Sequence, residues 1–156
     1  MKNLGLKNKK IILETKNKLI IDLKNNKNGY LFSKNYTKFI DKQIKEILSA
    51  LDTSEVEFTL IAVGGYGRED VAPFSDIDLL LIYKKQNKFI KNLISQLNNT
   101  LWDSGLDIGI SYLTIKQAIS DSKQDIKTLT KFLESRYLFG STDLFLSLIH
   151  ISEPTR

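Results

Sequence analysis

Asp76 and Asp78 flank a single apolar residue at the start of the run Leu79-Leu80-Leu81-Ile82. In a strand, side chains alternate faces, so the two carboxylates point the same way while Ile77 and Leu79 point into a core. Carboxylates held side by side repel each other, and a cation between them relieves the repulsion. An oxygen-only donor set suits Mg2+, which takes one or two carboxylates together with substrate phosphates. Eight residues before Asp76, a second pattern ends: Gly64-Gly65-Tyr66-Gly67-Arg68. Glycines let a backbone approach a polyphosphate closely, and successive N–H groups form an anion-binding concavity. Alone, the first pattern reads as a solvated strand end and the second as an ordinary tight turn. Together, each at the end of a short apolar run, they describe metal-assisted chemistry on a phosphate. A third carboxylate is expected on a neighbouring strand. Asp107, between Leu106 and Ile108, is the candidate, as a metal ligand or as the base toward an acceptor hydroxyl.

The elements that must position these groups are legible from periodicity. Phe58-Thr-Leu-Ile-Ala-Val63 reads as a buried strand, Ile77–Tyr83 as a second and Leu106–Tyr112 as a third. Apolar residues at helical spacing predict helices over 6–25, 35–51 and 87–103, with Asn25 to Gly29 breaking the first from the second. Thr114 is expected to cap a helix through about 121. A further helix is expected over 125–137, with Gly140 as its stop. This order predicts an α+β fold, a small mixed β-sheet backed by helices, with further helices at the N- and C-terminal ends.

Composition narrows the class. The 156 residues suffice for one domain with a real core. There is no cysteine, which rules out disulfides, thiolate metal sites and a cysteine nucleophile. No apolar run approaches the roughly 20 residues that span a bilayer, and the first residues lack the apolar segment of a signal peptide. No membrane association is expected, and the expected location is cytoplasmic. The formal charge of +5 is carried almost entirely by lysine. A solvated basic face that suits a nucleotide substrate explains it better than nucleic-acid binding, which would call for aromatics interleaved with basic residues on an exposed sheet.

The stretch Gly64-Gly-Tyr-Gly-Arg-Glu-Asp-Val-Ala-Pro-Phe-Ser-Asp-Ile-Asp-Leu-Leu80 resembles the nucleotidyltransferase domain of the bacterial PII uridylyltransferase/uridylyl-removing enzymes, members of the DNA polymerase β-like superfamily. The likeness continues through Leu101-Trp-Asp-Ser-Gly-Leu-Asp-Ile-Gly109, Ser111 to Thr114, Leu133-Glu-Ser-Arg136 and Gly140, covering roughly 58–145. The resemblance implies the polymerase β-like fold and transfer of UMP from UTP to a tyrosine of the PII signal protein in nitrogen regulation. It implies that Gly64 and Gly65 hold the nucleotide phosphates, that Asp76, Asp78 and Asp107 bind Mg2+, that Ser75 positions a phosphate or a metal ligand, and that Arg68 pairs either with phosphate or with Glu69/Asp70. Glu134 and Arg136 are expected to pair with each other behind the site, and Trp102 and Tyr66 to belong to the core. One departure stands out: these enzymes usually read Gly-Arg-Gly-Glu where this chain reads Gly67-Arg68-Glu69-Asp70.

Three segments are expected: a helical part over 1–54, the transferase core over 55–145, truncated at its C-terminal side, and a tail over 146–156. That tail resembles the translation of a sequencing-library adapter, which would make the chain a fragment and its one histidine, His150, meaningless. The other reading of the tail is a native, frayed C-terminal helix. The competing functions are another polymerase β-like transferase (an adenylyltransferase acting on glutamine synthetase, or a small-molecule or toxin type) and a non-catalytic nucleotide-binding regulatory module.

Overall fold

The computed structural model describes residues 2–152, with side chains over 3–151. Two long antiparallel-packed helices come first, α1 (Lys2–Asn26) and α2 (Gly29–Ser49). Lys27 adopts a left-handed φ of 54° between them, and Asn28 caps α2 by accepting the Leu31 amide at 3.0 Å. Then come β1 (Phe58–Ala62), a single helical turn α3 (Gly64–Gly67), β2 (Ile77–Tyr83), α4 (Lys88–Asp103) and β3 (Ile108–Thr114). The chain finishes with α5 (Ile115–Gln124), α6 (Ile126–Leu133), β4 (Arg136–Gly140) and α7 (Thr142–Ser152).

The sheet order is β3-β2-β1-β4, with β2 and β3 parallel and the other two pairs antiparallel. This is the mixed α+β arrangement expected, and it is consistent with the polymerase β-like nucleotidyltransferase fold. β1 and β2 are central, and helices cover both faces, so their apolar runs are nearly continuous. Leu60, Ala62, Ile77, Leu79 and Leu81 pack on one face against Ile40, Ile44 and Ile47 of α2 and Leu93 and Leu97 of α4. Ile61, Val63, Leu80 and Ile82 pack on the other against Ala118, Phe132 and Leu148 of α5, α6 and α7. The alternation places Asp76 and Asp78 on the second face, just beyond the end of that smaller core.

Thr114 caps α5 as expected, in a reciprocal capping box with Gln117. The expected helix over 125–137 ends earlier. The chain leaves the helix after Leu133, and Arg136–Gly140 joins the sheet as an edge strand beside β1, with a register shift at Leu60/Ile61. The pairing of Ala62 with Arg136 outweighs the helical spacing of a short apolar run. Trp102, expected in the core, is 86% exposed near the end of α4. The segment over 146–156 is helical as far as it is described, and its Leu148 is fully buried; residues 153–156 lie outside the described part. Among the described residues, no helix is long and apolar enough to cross a membrane.

Candidate active site

The site forms where β1, β2 and β3 end together. The Val63 amide donates to the Asp78 carbonyl at 3.0 Å, and the Ile77 amide donates to the Asp107 carbonyl at 2.9 Å, so the ladder holds all three strand ends in register. In that register Ile77 faces Ile108 and Asp78 faces Gly109. One step outward, Asp76 and Asp107 stand opposite each other on adjoining strands. Asp76, Asp78 and Asp107 are all exposed, whereas Ile77 and Leu79 are buried.

Asp107 holds the Asp76 carboxyl above the ordinary aspartate value, through its negative charge and through a hydrogen bond that only protonated Asp76 can donate; burial and the Asp78 charge add smaller pushes in the same direction. Asp78 sits instead between two glycines. A Cβ on Gly64 would lie 3.3 Å from Asp78 Oδ2, and one on Gly109 would lie 3.0 Å from Oδ1. Only glycine at 109 leaves that carboxylate unobstructed on the strand side. The structure therefore brings Asp76 and Asp107 together and leaves Asp78 beside them in its own glycine-lined gap. Among the described residues, no three acidic or imidazole side chains are already gathered into a metal-holding cluster. The donor chemistry nevertheless fits a hard divalent cation: all-oxygen donors, a repelling pair and an open gap alongside.

The raised Asp76 value carries a stability consequence. The folded chain keeps that proton to a higher pH than the unfolded chain does. Stability therefore falls as pH rises through the interval above the ordinary value of 3.8. Asp107→Asn removes the repulsion. It should raise the melting temperature of metal-free protein at neutral pH and flatten this pH dependence, as scanning fluorimetry across pH would show; a lower melting point would contradict it.

The glycine motif folds as one helical turn. Gly64 has φ +60°, a left-handed conformation that suits glycine. The turn then closes through Gly67 N–H to the Val63 carbonyl (3.0 Å) and Arg68 N–H to the Gly64 carbonyl (3.1 Å). A single turn leaves its first N–H groups without intrahelical acceptors. Gly67 is forced by packing: a Cβ there would lie 2.8 Å from both the Ala62 and Glu134 carbonyl oxygens. Glu69, where the resembling enzymes usually have glycine, still adopts the left-handed conformation, φ 58°. That conformation costs a side-chain-bearing residue about 1–2 kcal/mol. Glu69 is anchored by its ion pair with Lys34, which also holds its carboxyl below the usual range.

The remaining expectations divide. Ser75 closes its own turn, its hydroxyl accepting the Ala72 amide at 3.0 Å. Arg68 meets neither Glu69 nor Asp70; it is bonded to Glu134 at 2.8 Å. The expected Glu134–Arg136 pair is therefore absent, and Arg136 bonds to Asp41 of α2 at 2.6 Å. Pairing of β4 with β1 carries the Arg136 side chain to the α2 side of the sheet, away from Glu134. Tyr66 is buried, as expected of a core residue. Gly109 and Asp41 were not singled out for this site by the sequence, and Arg136 was expected there only as the partner of Glu134. The glycine two residues after Asp107 was the only local hint of the first.

The nucleotidyltransferase domain family model matches residues 41–133. The chain is 43% identical over 106 residues to the bifunctional uridylyltransferase/uridylyl-removing enzyme of Pseudoalteromonas translucida (strain TAC 125), covering 67% of this chain and 12% of that protein. It is 31% identical over 135 residues to the enzyme of the same description from Nitrosospira multiformis, covering 82% of this chain and 15% of the relative. With the one from Azospirillum brasilense the identity is 43% over 94 residues, 60% of this chain and 10% of the relative. The chain thus spans only about an eighth of the length of such relatives.

Proposed function

Because this chain belongs to the nucleotidyltransferase domain family, we propose that it is the transfer domain of a uridylyltransferase, acting on UTP and on a tyrosine hydroxyl of a PII-type signal protein. The acceptor oxygen attacks the α-phosphorus. A new oxygen–phosphorus bond forms, the bond to the β-phosphate bridging oxygen breaks, and pyrophosphate leaves with the electron pair. Gly64 and Gly65 present backbone N–H groups to the phosphates, and the missing side chain at Gly109 keeps the approach to Asp78 clear. Asp107, paired with Asp76, orients the acceptor hydroxyl and takes its proton. Asp76, Asp78 and Asp107 would hold Mg2+, which when bound supplies charge neutralisation at the transferring phosphate and a template for its oxygens. Most of the rate gain comes from positioning these groups beforehand.

The observation that carries this reading is the shared strand end: Asp78 between Gly64 and Gly109, with Asp76 and Asp107 one step away. Support for the uridylyl specificity comes from the likeness to bifunctional uridylyltransferase/uridylyl-removing enzymes at 31–43% identity, and the PII acceptor follows from the family resemblance of the Gly64–Leu80 motif. In this reading residues 55–145 are the transfer core and 1–54 a helical support, in a cytoplasmic enzyme.

The test is pyrophosphate release with Mg2+, each of the four ribonucleoside triphosphates in turn, and PII protein as acceptor. Release that requires UTP and PII establishes the reading. Release with ATP and glutamine synthetase instead would establish the adenylyltransferase alternative. Calorimetric binding of nucleotide by a folded chain, with no pyrophosphate release from any pair, would favour a non-catalytic regulatory module. A Mg2+-dependent rise in melting temperature, abolished by Asp78→Asn, checks the metal assignment without any turnover.

A further inference from the structure

A three-way contact lies under the glycine turn. The Tyr66 hydroxyl donates to Asp41 Oδ1 at 2.5 Å. Arg136 donates to Asp41 Oδ2 at 2.6 Å and to Oδ1 at 3.2 Å, and a further guanidinium N–H donates to the Tyr66 carbonyl at 3.1 Å. The guanidinium also lies over the Tyr66 ring, 5.2 Å from its centroid. Asp41 belongs to α2, Tyr66 to α3 and Arg136 to the first position of β4, opposite Ala62 at the end of β1. The Arg136 and Asp41 side chains are only 23% and 17% exposed, and Tyr66 only 1%. The Arg136 Nε is buried without a hydrogen-bond partner, so the fork is committed to Asp41 and the Tyr66 carbonyl.

We propose that Asp41 and Arg136 are positioning residues that fix the Gly64–Gly67 backbone in its phosphate-receiving conformation. This inference rests on the nucleotide reading of the site and extends it to residues outside the motif. Two features favour positioning over general support. The guanidinium grips the peptide carbonyl of the turn itself, so its loss is felt first in backbone conformation. Glu69, immediately after the turn, is left-handed at φ 58°, and its carboxylate stands 3.9 Å from the same guanidinium. The clamp therefore also braces the place where this chain lacks a glycine. Charge-assisted, bidentate contacts of this kind hold geometry more firmly than neutral ones, and lysine cannot reproduce the fork.

The test uses Arg136→Lys and Asp41→Asn in this chain, with Mg·UTP and inorganic tripolyphosphate as calorimetric probes. Affinity for both should fall about tenfold, the scale of one charge-assisted hydrogen bond. The double variant should be little worse than either single one, because both break the same clamp. Where turnover is measured, KM for UTP should rise with kcat much less changed, since phosphate contacts made before and during transfer act on binding. Amide hydrogen exchange separates positioning from mere stability: exchange across 64–68 should accelerate in the variants well before that of β1 and β2. Unchanged affinity for both probes, or uniform acceleration of exchange across the sheet, overturns the clamp while leaving the site reading standing. A folded parent that binds neither probe overturns the site reading, and the clamp with it.

Discussion

Asp78→Asn is expected to reduce nucleotide transfer by about 10²–10³-fold, the scale for removing one group aimed at developing charge, while leaving the fold intact. The substitution is isosteric. The Asp78 side chain makes no hydrogen bond within the described protein, and its exposed position at the strand end contributes little to packing. The backbone carbonyl that receives the Val63 amide is untouched. Transfer measured as pyrophosphate release should collapse while the melting curve barely moves. A variant with parental turnover would remove Asp78 from the machinery. Asp76→Asn should behave differently in one respect: it also relieves repulsion with Asp107, so metal-free stability should rise as activity falls.

Gly67→Ala carries the second large effect, and it acts on stability. The added methyl would meet two backbone carbonyl oxygens, those of Ala62 and Glu134, each at 2.8 Å. Neither can rotate away, because Ala62 pairs in β1 with both neighbouring strands and Glu134 is the C-cap of α6. The turn must lift off the sheet end. Overpacking of this kind costs about 1–3 kcal/mol, which in a domain of this size lowers melting by roughly 2–10 °C. Because the displaced turn carries Gly64 and Gly65, nucleotide affinity should fall together with stability. A melting point within error of the parent would show that the packing at Gly67 is looser than the structure has it. Gly65→Ala is the milder comparison, with a single carbonyl at 3.0 Å.

What could be read in advance was what is local in the chain. Asp76 and Asp78 announce themselves because strand alternation fixes their common face, and the neighbouring apolar run fixes the strand. Thr114 with Gln117 three residues on is a complete capping signal. The residues that escaped notice owe their roles to partners far away. Gly109 matters because parallel pairing sets it opposite Asp78, and no spacing along the chain encodes that register. Arg136-Tyr-Leu-Phe139 fits the end of a helix as well as a strand. It becomes a strand because β1 offers an unpaired edge about 75 residues earlier. Arg68 and Glu134 found each other across a separation of 66 residues, which the nearby Glu69 and Asp70 made hard to anticipate. Trp102 misled for a different reason. Aromatic size argues for burial, but its place near the last turn of α4 turns it to solvent.

The order of these elements along the chain sets a timetable. The glycine turn and its carboxylates are complete by Asp107, but Arg136, which grips the turn from below, follows Tyr66 by 70 residues and Asp41 by 95. During synthesis at roughly 5–20 residues per second, several seconds pass in which the nascent chain carries the motif without its support. Closing so long a loop also has an entropic cost that only the docked strand repays. If the turn receives phosphate as proposed, that competence arrives only after β4 has been made and docked, and a chain released before then would carry the signature of the site without its shape.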